Sequence, residues 1–243
     1  MLKFQVRPVA VFAALLVGLL PGQAFGQSRD EVIAKMKPFA GESAAGVDVS
    51  TLTGKVMCGY QGWFAAEGDG SGRGWVHYGR GGRFEPGRAA IDLWPDMSEF
   101  GDDEKFATGF RHADGSVAHV FSSQNAKTVD RHFRWMKDYG IGGAFVQRFA
   151  VETFGTKNLD HCNSVLAHCR DNANRHGRAY AVMYDLSGVG RDQIDRVIDD
   201  WKLLVDRMQI ARGEKDGSQD KAYLRHNGKP VVAVWGLGFN DGR

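Results

Sequence analysis

Polar and aromatic residues recur at the ends of short apolar runs in this chain. Tyr60, Gln61 and Trp63 follow the run at Val56, and Asp92 and Trp94 sit in Ile91-Asp-Leu-Trp94. Gln147 and Arg148 close Gly143-Ala-Phe-Val-Gln147, and Tyr184 and Asp185 close Ala179-Tyr-Ala-Val-Met-Tyr184. Trp235 and Asn240 end the last such run, while Trp75 and His77 belong to a loop above the first. Aromatic faces cover flat apolar surfaces, and amides, guanidinium groups and carboxylates exchange hydrogen bonds with hydroxyls. That combination suits a sugar. Singly, each residue reads equally as core packing or a solvated cap, so the recurrence is what points to a site. Asp185 and Asp92 are the carboxylates in view for proton transfer, although holding substrate hydroxyls fits both better.

Other chemistries find no matching spacing. Gly-x-Ser-x-Gly, His-Glu-x-x-His and Gly-x-x-x-x-Gly-Lys-Ser/Thr are all missing. Gly68 to Gly74 reads as a flexible surface loop; it precedes Trp75-Val-His-Tyr78 and opens no helix, so a dinucleotide phosphate would lack its usual helix N-terminus. His161-Cys162 and His168-Cys169 repeat after seven residues, about 10.5 Å along a helix. One zinc ion with bonds of about 2.0–2.3 Å cannot reach both turns. The repeat instead predicts one buried cysteine face and one exposed histidine face. Cys162 and Cys169 are likewise too far apart for a disulfide. Cys58 could pair with either, but a buried free thiol is the plainer reading.

These residues need a scaffold, and the apolar spacing supplies one. Ser28 to Met36 predicts a short helix stopped before Pro38, and Ala40 to Thr53 a linker. His119-Val-Phe121 predicts a short strand after the turn at Asp114-Gly115. Helices are expected over Lys127 to Tyr139, capped by Ser123 or Asn125, and over Asn158 to His176, closed by Gly177. A third is expected over Arg191 to Ile210, with Ile194, Val197, Ile198, Trp201, Leu204 and Val205 as its apolar stripe. Asn227-Gly228 predicts a tight hairpin before the last strand. Strand and helix alternating at this spacing imply consecutive βα units with a parallel sheet. About five barrel-type strands are expected, where a closed barrel needs eight. The chain therefore reads as a piece of a larger domain.

Composition bounds the rest. With 43% apolar and 25% charged residues in 243, the chain has the make-up of an ordinary globular domain. Lys3 and Arg7, the apolar run Val9 to Leu20, and Ala24-Phe25-Gly26 form a cleavable signal-peptide pattern over residues 1–26. Removing those two cations from 31 leaves 29, equal to the 29 acidic residues. A neutral mature chain has no electrostatic footprint for nucleic acid or an anionic membrane. Periplasmic or extracellular residence as a monomer follows as the expectation.

Val56-Met-Cys-Gly-Tyr-Gln-Gly-Trp-Phe64, followed by Gly74-Trp-Val-His-Tyr78, resembles the opening of glycoside hydrolase family 71/99-like proteins. These are relatives of endo-α-mannosidases and α-1,3-glucanases. Met136-Lys-Asp-Tyr-Gly-Ile-Gly-Gly-Ala-Phe-Val146, Tyr180 to Asp185 and Tyr223 to Trp235 are similar to their later βα units. The resemblance runs from Lys55 to the end. It implies a (β/α)8 TIM barrel, beginning after a helix-and-linker segment at 27–54, that cleaves glycosidic bonds without a cofactor. It also implies that the paired catalytic carboxylates lie on later strands, beyond Arg243. On that reading residues 55–243 supply the substrate-binding wall. The alternatives are a carbohydrate binder without turnover and a structural secreted protein.

Overall fold

The computed structural model describes residues 27–238, apart from Glu214 and Asp216. The expected signal peptide and Asn240 lie outside the described residues. Among the described residues, four α-helices and eight strands follow in chain order. They are α1 (Arg29–Lys35), β1 (Met57–Tyr60), β2 (Phe106–Arg111), β3 (Val117–Val120), α2 (Ala126–Asp138) and β4 (Gly143–Phe149). After them come α3 (Thr156–His176), β5 (Ala179–Asp185), α4 (Ile194–Arg207), β6 (Arg225–His226), β7 (Lys229–Pro230) and β8 (Val232–Trp235).

β1, β4, β5 and β8 form one parallel sheet in that order. α2, α3 and α4 each lie in one of the three connections, so the sheet is a run of consecutive βα units. The α/β reading with a parallel sheet holds. The strand count is four rather than about five, because Ile91–Trp94 is irregular and pairs with no strand. The strand expected at His119–Phe121 is β3, which pairs antiparallel with β2 outside the main sheet.

The caps act as their residue types dictate. Ser28 and Glu31 close a reciprocal capping box on α1, and the Asn125 side chain accepts from Lys127 N to start α2. Gly177 ends α3 in the left-handed conformation. Val129, Phe133 and Met136 of α2, and Leu159, Val165, Leu166 and Cys169 of α3, are buried as their spacing requires. Most of them pack on Ala144, Val146, Tyr180 and Val182 to make the main core. Gly143 lets β4 approach β5, since a Cβ there would lie 1.9 Å from Ala179 O. Asn227 and Gly228 both have positive φ between β6 and β7, as the hairpin signal requires.

α4 departs from its expected stripe. Leu204 is buried and Val197 and Trp201 are partly so, but Ile194 and Ile198 are 40% and 46% exposed. Val232 and Val234, on the helix-side face of the edge strand β8, are exposed as well. Among the described residues, no helix is long and apolar enough to cross a membrane.

Candidate functional site

Strand side chains alternate between faces, so register decides which strand-end residues can meet. Tyr60 pairs with Val146, and Arg148 with Tyr184, on the face covered by helices. Gln147 pairs with Met183, Phe149 with Asp185, and Asp185 with Trp235, on the opposite inner face. Half of the expected strand-end residues thus point away from any common site.

Those facing the helices are structural. Tyr60 hydroxyl bonds His132 Nδ1 on α2 at 2.9 Å, and burial pushes its pKa well up. Arg148 is buried and donates to both Asp200 oxygens, from Nε at 2.6 Å and Nη2 at 2.7 Å. Its Nη2 also donates to Asn163 Oδ1 at 2.8 Å, and Tyr184 hydroxyl donates to Asp200 Oδ2 at 2.6 Å. Burial by itself raises the Asp200 pKa, but the adjacent Arg148 overrides it and holds the carboxyl below its usual range. Arg148, Tyr184 and Tyr60 therefore leave the expected list of substrate-binding residues. Parallel strands are covered on both faces, and a charge on the outer one needs a partner.

Trp75, Trp94 and Asp92 leave it for a different reason. The long segment between β1 and α2 has a core of its own around Tyr78, Phe84 and Val120. Trp94 stacks on Phe84 at 5.5 Å and its Nε1 donates to His119 O at 2.8 Å. Trp75 leans on the same Phe84 at 5.4 Å. Asp92 is exposed on the irregular stretch beside Trp94, off the parallel sheet.

The inner face retains a coherent group at the carboxyl ends of the strands. Gln147 Nε2 donates to Asp185 Oδ2 at 2.5 Å, and Ser187 N donates to Asp185 Oδ1 at 2.8 Å. Both bonds fix the carboxylate, which is buried, and leave it acceptor capacity. Trp235, 54% exposed, is in register with Asp185 on the neighbouring strand. Gln61 is exposed just past the end of β1. Beside them, Trp63 is stacked on His77, with centroids 3.9 Å apart, and on Phe149 at 5.0 Å. Two rings that near to one indole would overlap if they shared a face, so they cover opposite faces. The indole is thus enclosed, and His77 is the exposed end of the stack. Trp63 as a sugar-facing ring is corrected accordingly.

Phe149, Arg73, Glu152 and Asp69 carry no sequence signal as site residues. Phe149 continues the β4 run by one inner-face step. Arg73 and Glu152 form a shielded ion pair at 2.8 Å, and Arg73 Nη1 also reaches Trp63 O at 3.4 Å. Asp69 accepts from Ala66 N, Ser71 N and Ser122 Oγ, so the glycine-rich loop expected to be flexible is tied down. Gly62 has φ +59, and a Cβ there would come within 2.5 Å of Val165, which sets the turn that brings Trp63 inward.

The histidine–cysteine repeat does not divide as expected. His161 is buried, with Nε2 3.0 Å from Gly62 O and Nδ1 2.9 Å from Gln124 Oε1. Gly62 O only accepts, so Nε2 carries the proton; burial lowers the pKa to about 4. In the neutral ring Nδ1 accepts, which calls for the Gln124 amide to be turned so that its nitrogen donates. Cys169 is buried and Cys162 partly so, and all three cysteines are free thiols. Among the described residues no group of histidine, cysteine and carboxylate side chains has the arrangement of a metal site.

Under the aromatic stack, Trp63, Arg148, Glu152, His161 and Cys162 border a cavity of about 10 Å³. That is room for about one water, and Trp63 Nε1 and Arg148 Nη1 are buried there without a protein partner. A larger cleft of about 690 Å³ lies between residues 37–44 and the last turns of α3. It sits at the amino ends of the strands, the face that in parallel α/β folds serves stability rather than chemistry.

No family model matches the chain, and no curated protein matches it. Two solved structures of the glycoside hydrolase family 99 endo-α-mannosidase from Bacteroides thetaiotaomicron are similar to it. One, in complex with bis-tris propane, has 14% identity and a TM-score of 0.47, covering 79% of this chain and 43% of that one. The other has 18% identity and a TM-score of 0.43, covering 74% of this chain and 44% of that one. The chain spans less than half the length of either.

Proposed function

We propose that this chain forms one wall of the substrate cleft of an exported glycoside hydrolase of the 71/99-like type, built on a TIM barrel. One observation carries the reading. A hydrogen-bonded amide–carboxylate pair, Gln147 with Asp185, lies in register with the exposed Trp235 and beside the aromatic stack ending at His77. Fixed acceptors between aromatic surfaces, at the carboxyl ends of parallel strands, match a neutral polyol. The signal-peptide pattern at 1–26 and the motif from Val56 to Tyr78 support the export and the family.

Asp185 serves here as a holder of sugar hydroxyls. Glycosidic cleavage needs two carboxyl groups flanking the bond. Among the described residues, Asp185 is the one carboxylate on the inner face of the four strands. A binder without turnover is the second reading, and one inner-face carboxylate in these strands is what both readings expect.

The test is to incubate the full-length protein, not residues 1–243 alone, with α-linked manno- and gluco-oligosaccharides, measuring affinity by calorimetry and reducing-end release. Binding with release supports the hydrolase, and binding without release supports the second reading. No binding by the folded chain to any member of the panel overturns both.

A further inference from the structure

We propose that His77 is the ring this site lays against a sugar, and that Trp63 is a positioning residue behind it. The proposal rests on the carbohydrate reading above and adds a contact residue to it.

The backbone carries the first part. His77 has φ +63, in the left-handed region that residues with a Cβ rarely enter. Its neighbours impose this. Val76 is bridged to Ala65, with Val76 N 3.1 Å from Ala65 O, and Tyr78 is buried with its hydroxyl on Phe121 O at 2.8 Å. With both sides pinned, the left-handed turn at 77 turns the imidazole away from the small core and onto Trp63. Asparagine, aspartate and histidine are the types enriched in that region. Histidine is the aromatic one among them. A strained backbone that nonetheless keeps a ring, at the carboxyl ends of the strands, points from strain to use.

The stack carries the second part. Phe149 supports the far face of the indole, and Arg73 and Gly62 hold the loop that presents it. Trp63 has no face left for a ligand. The imidazole has its outer face to solvent. Burial lowers its pKa, with Arg73 acting in the same direction and Glu152 against, so the ring is neutral and its face suited to sugar C–H groups.

The experiment compares the full chain with His77→Asn, which keeps the left-handed backbone but loses the ring, and His77→Phe, which keeps an aromatic face. Affinity is measured by calorimetry for the same α-linked manno- and gluco-oligosaccharides, and melting temperature alongside. The expected result is an affinity loss of about five- to ten-fold in His77→Asn at nearly unchanged melting temperature, with His77→Phe recovering most of it. Wild-type affinity in His77→Asn would overturn the proposal and leave the carbohydrate reading standing. A folded wild-type chain that binds none of the sugars overturns both. In the ligand-free protein, the His77 Hε1 resonance should lie upfield by the indole ring current and return to its ordinary position in Trp63→Leu. An unshifted resonance in the wild type overturns the positioning role of Trp63.

Discussion

Gln147 and Arg148 are neighbours in the chain and lie on opposite sides of one sheet, as do Tyr184 and Asp185. On the helix side, Arg148, Tyr184, Asn163 and Asp200 form a buried network in which Arg148 and Tyr184 both donate to Asp200, while Arg148 Nη1 and Asn163 Nδ2 have no protein partner. On the inner side, Gln147 and Asp185 form a single pair next to exposed aromatic rings. The same kinds of side chain hold the fold together on one face and are available to a ligand on the other. Arg148 and Asp185 are both 3% exposed, so pairing makes the difference: Asp200 accepts three hydrogen bonds on the helix side, whereas Asp185 accepts two and keeps acceptor capacity on the inner face.

That contrast can be broken by experiment. The largest effect is expected from Asp200→Ala, which strands the Arg148 guanidinium and should cost about 3–5 kcal/mol in urea unfolding. A loss below about 1 kcal/mol would mean that the helix-side network is not holding the fold. Acid comes next. Burial holds His132 and His161 near a pKa of about 4, against 6.5 when unfolded. Between those values the unfolded chain binds protons that the folded chain does not. Stability should therefore fall as pH drops from 6.5 towards 4, by roughly 3 kcal/mol for each histidine. Urea midpoints across that window would show it, and His161→Gln should flatten the dependence.

Trp94→Ala separates the small core from the cleft. It should cost about 2–3 kcal/mol by thermal or urea unfolding while leaving sugar affinity in the folded protein unchanged. A clear affinity loss would return Trp94 to the site. The smallest stability effect is expected at Asp185→Ala, about 1–2 kcal/mol, since the buried carboxylate holds only Gln147 Nε2 and Ser187 N. Its signature is affinity, lowered roughly ten-fold in calorimetry. A stability loss as large as that of Asp200→Ala would erase the distinction between the two faces.

Much of the scaffold was legible beforehand. Val129, Phe133 and Met136 gave α2 its apolar face, Asn125 its start and Gly177 the stop of α3, because local spacing and capping chemistry act over a few residues. The hairpin at Asn227-Gly228 was legible for the same reason. The site was legible only in part. Arg148 looked like a ligand contact because its partner, Asp200, is 52 residues away. Trp94 looked like a strand end because Ile91-Asp-Leu-Trp94 alternates like a strand, yet its apolar residues feed a small core shared with Phe84 and Phe110. His77 stood out as a residue type, but its left-handed backbone came from Ala65 and Phe121, which hold its two neighbours.

By itself the sequence determined the helices and the strands of the parallel sheet, though not β2, and the recurrence of polar and aromatic residues at strand ends. Those properties follow from side-chain period and turn chemistry, which are local. Tertiary structure decided which of those residues share a face, because alternation defines two faces without saying which one the helices cover. It also decided that Trp63 is sandwiched and His77 exposed, since stacking brings together two rings from the loop after β1 and one from the end of β4.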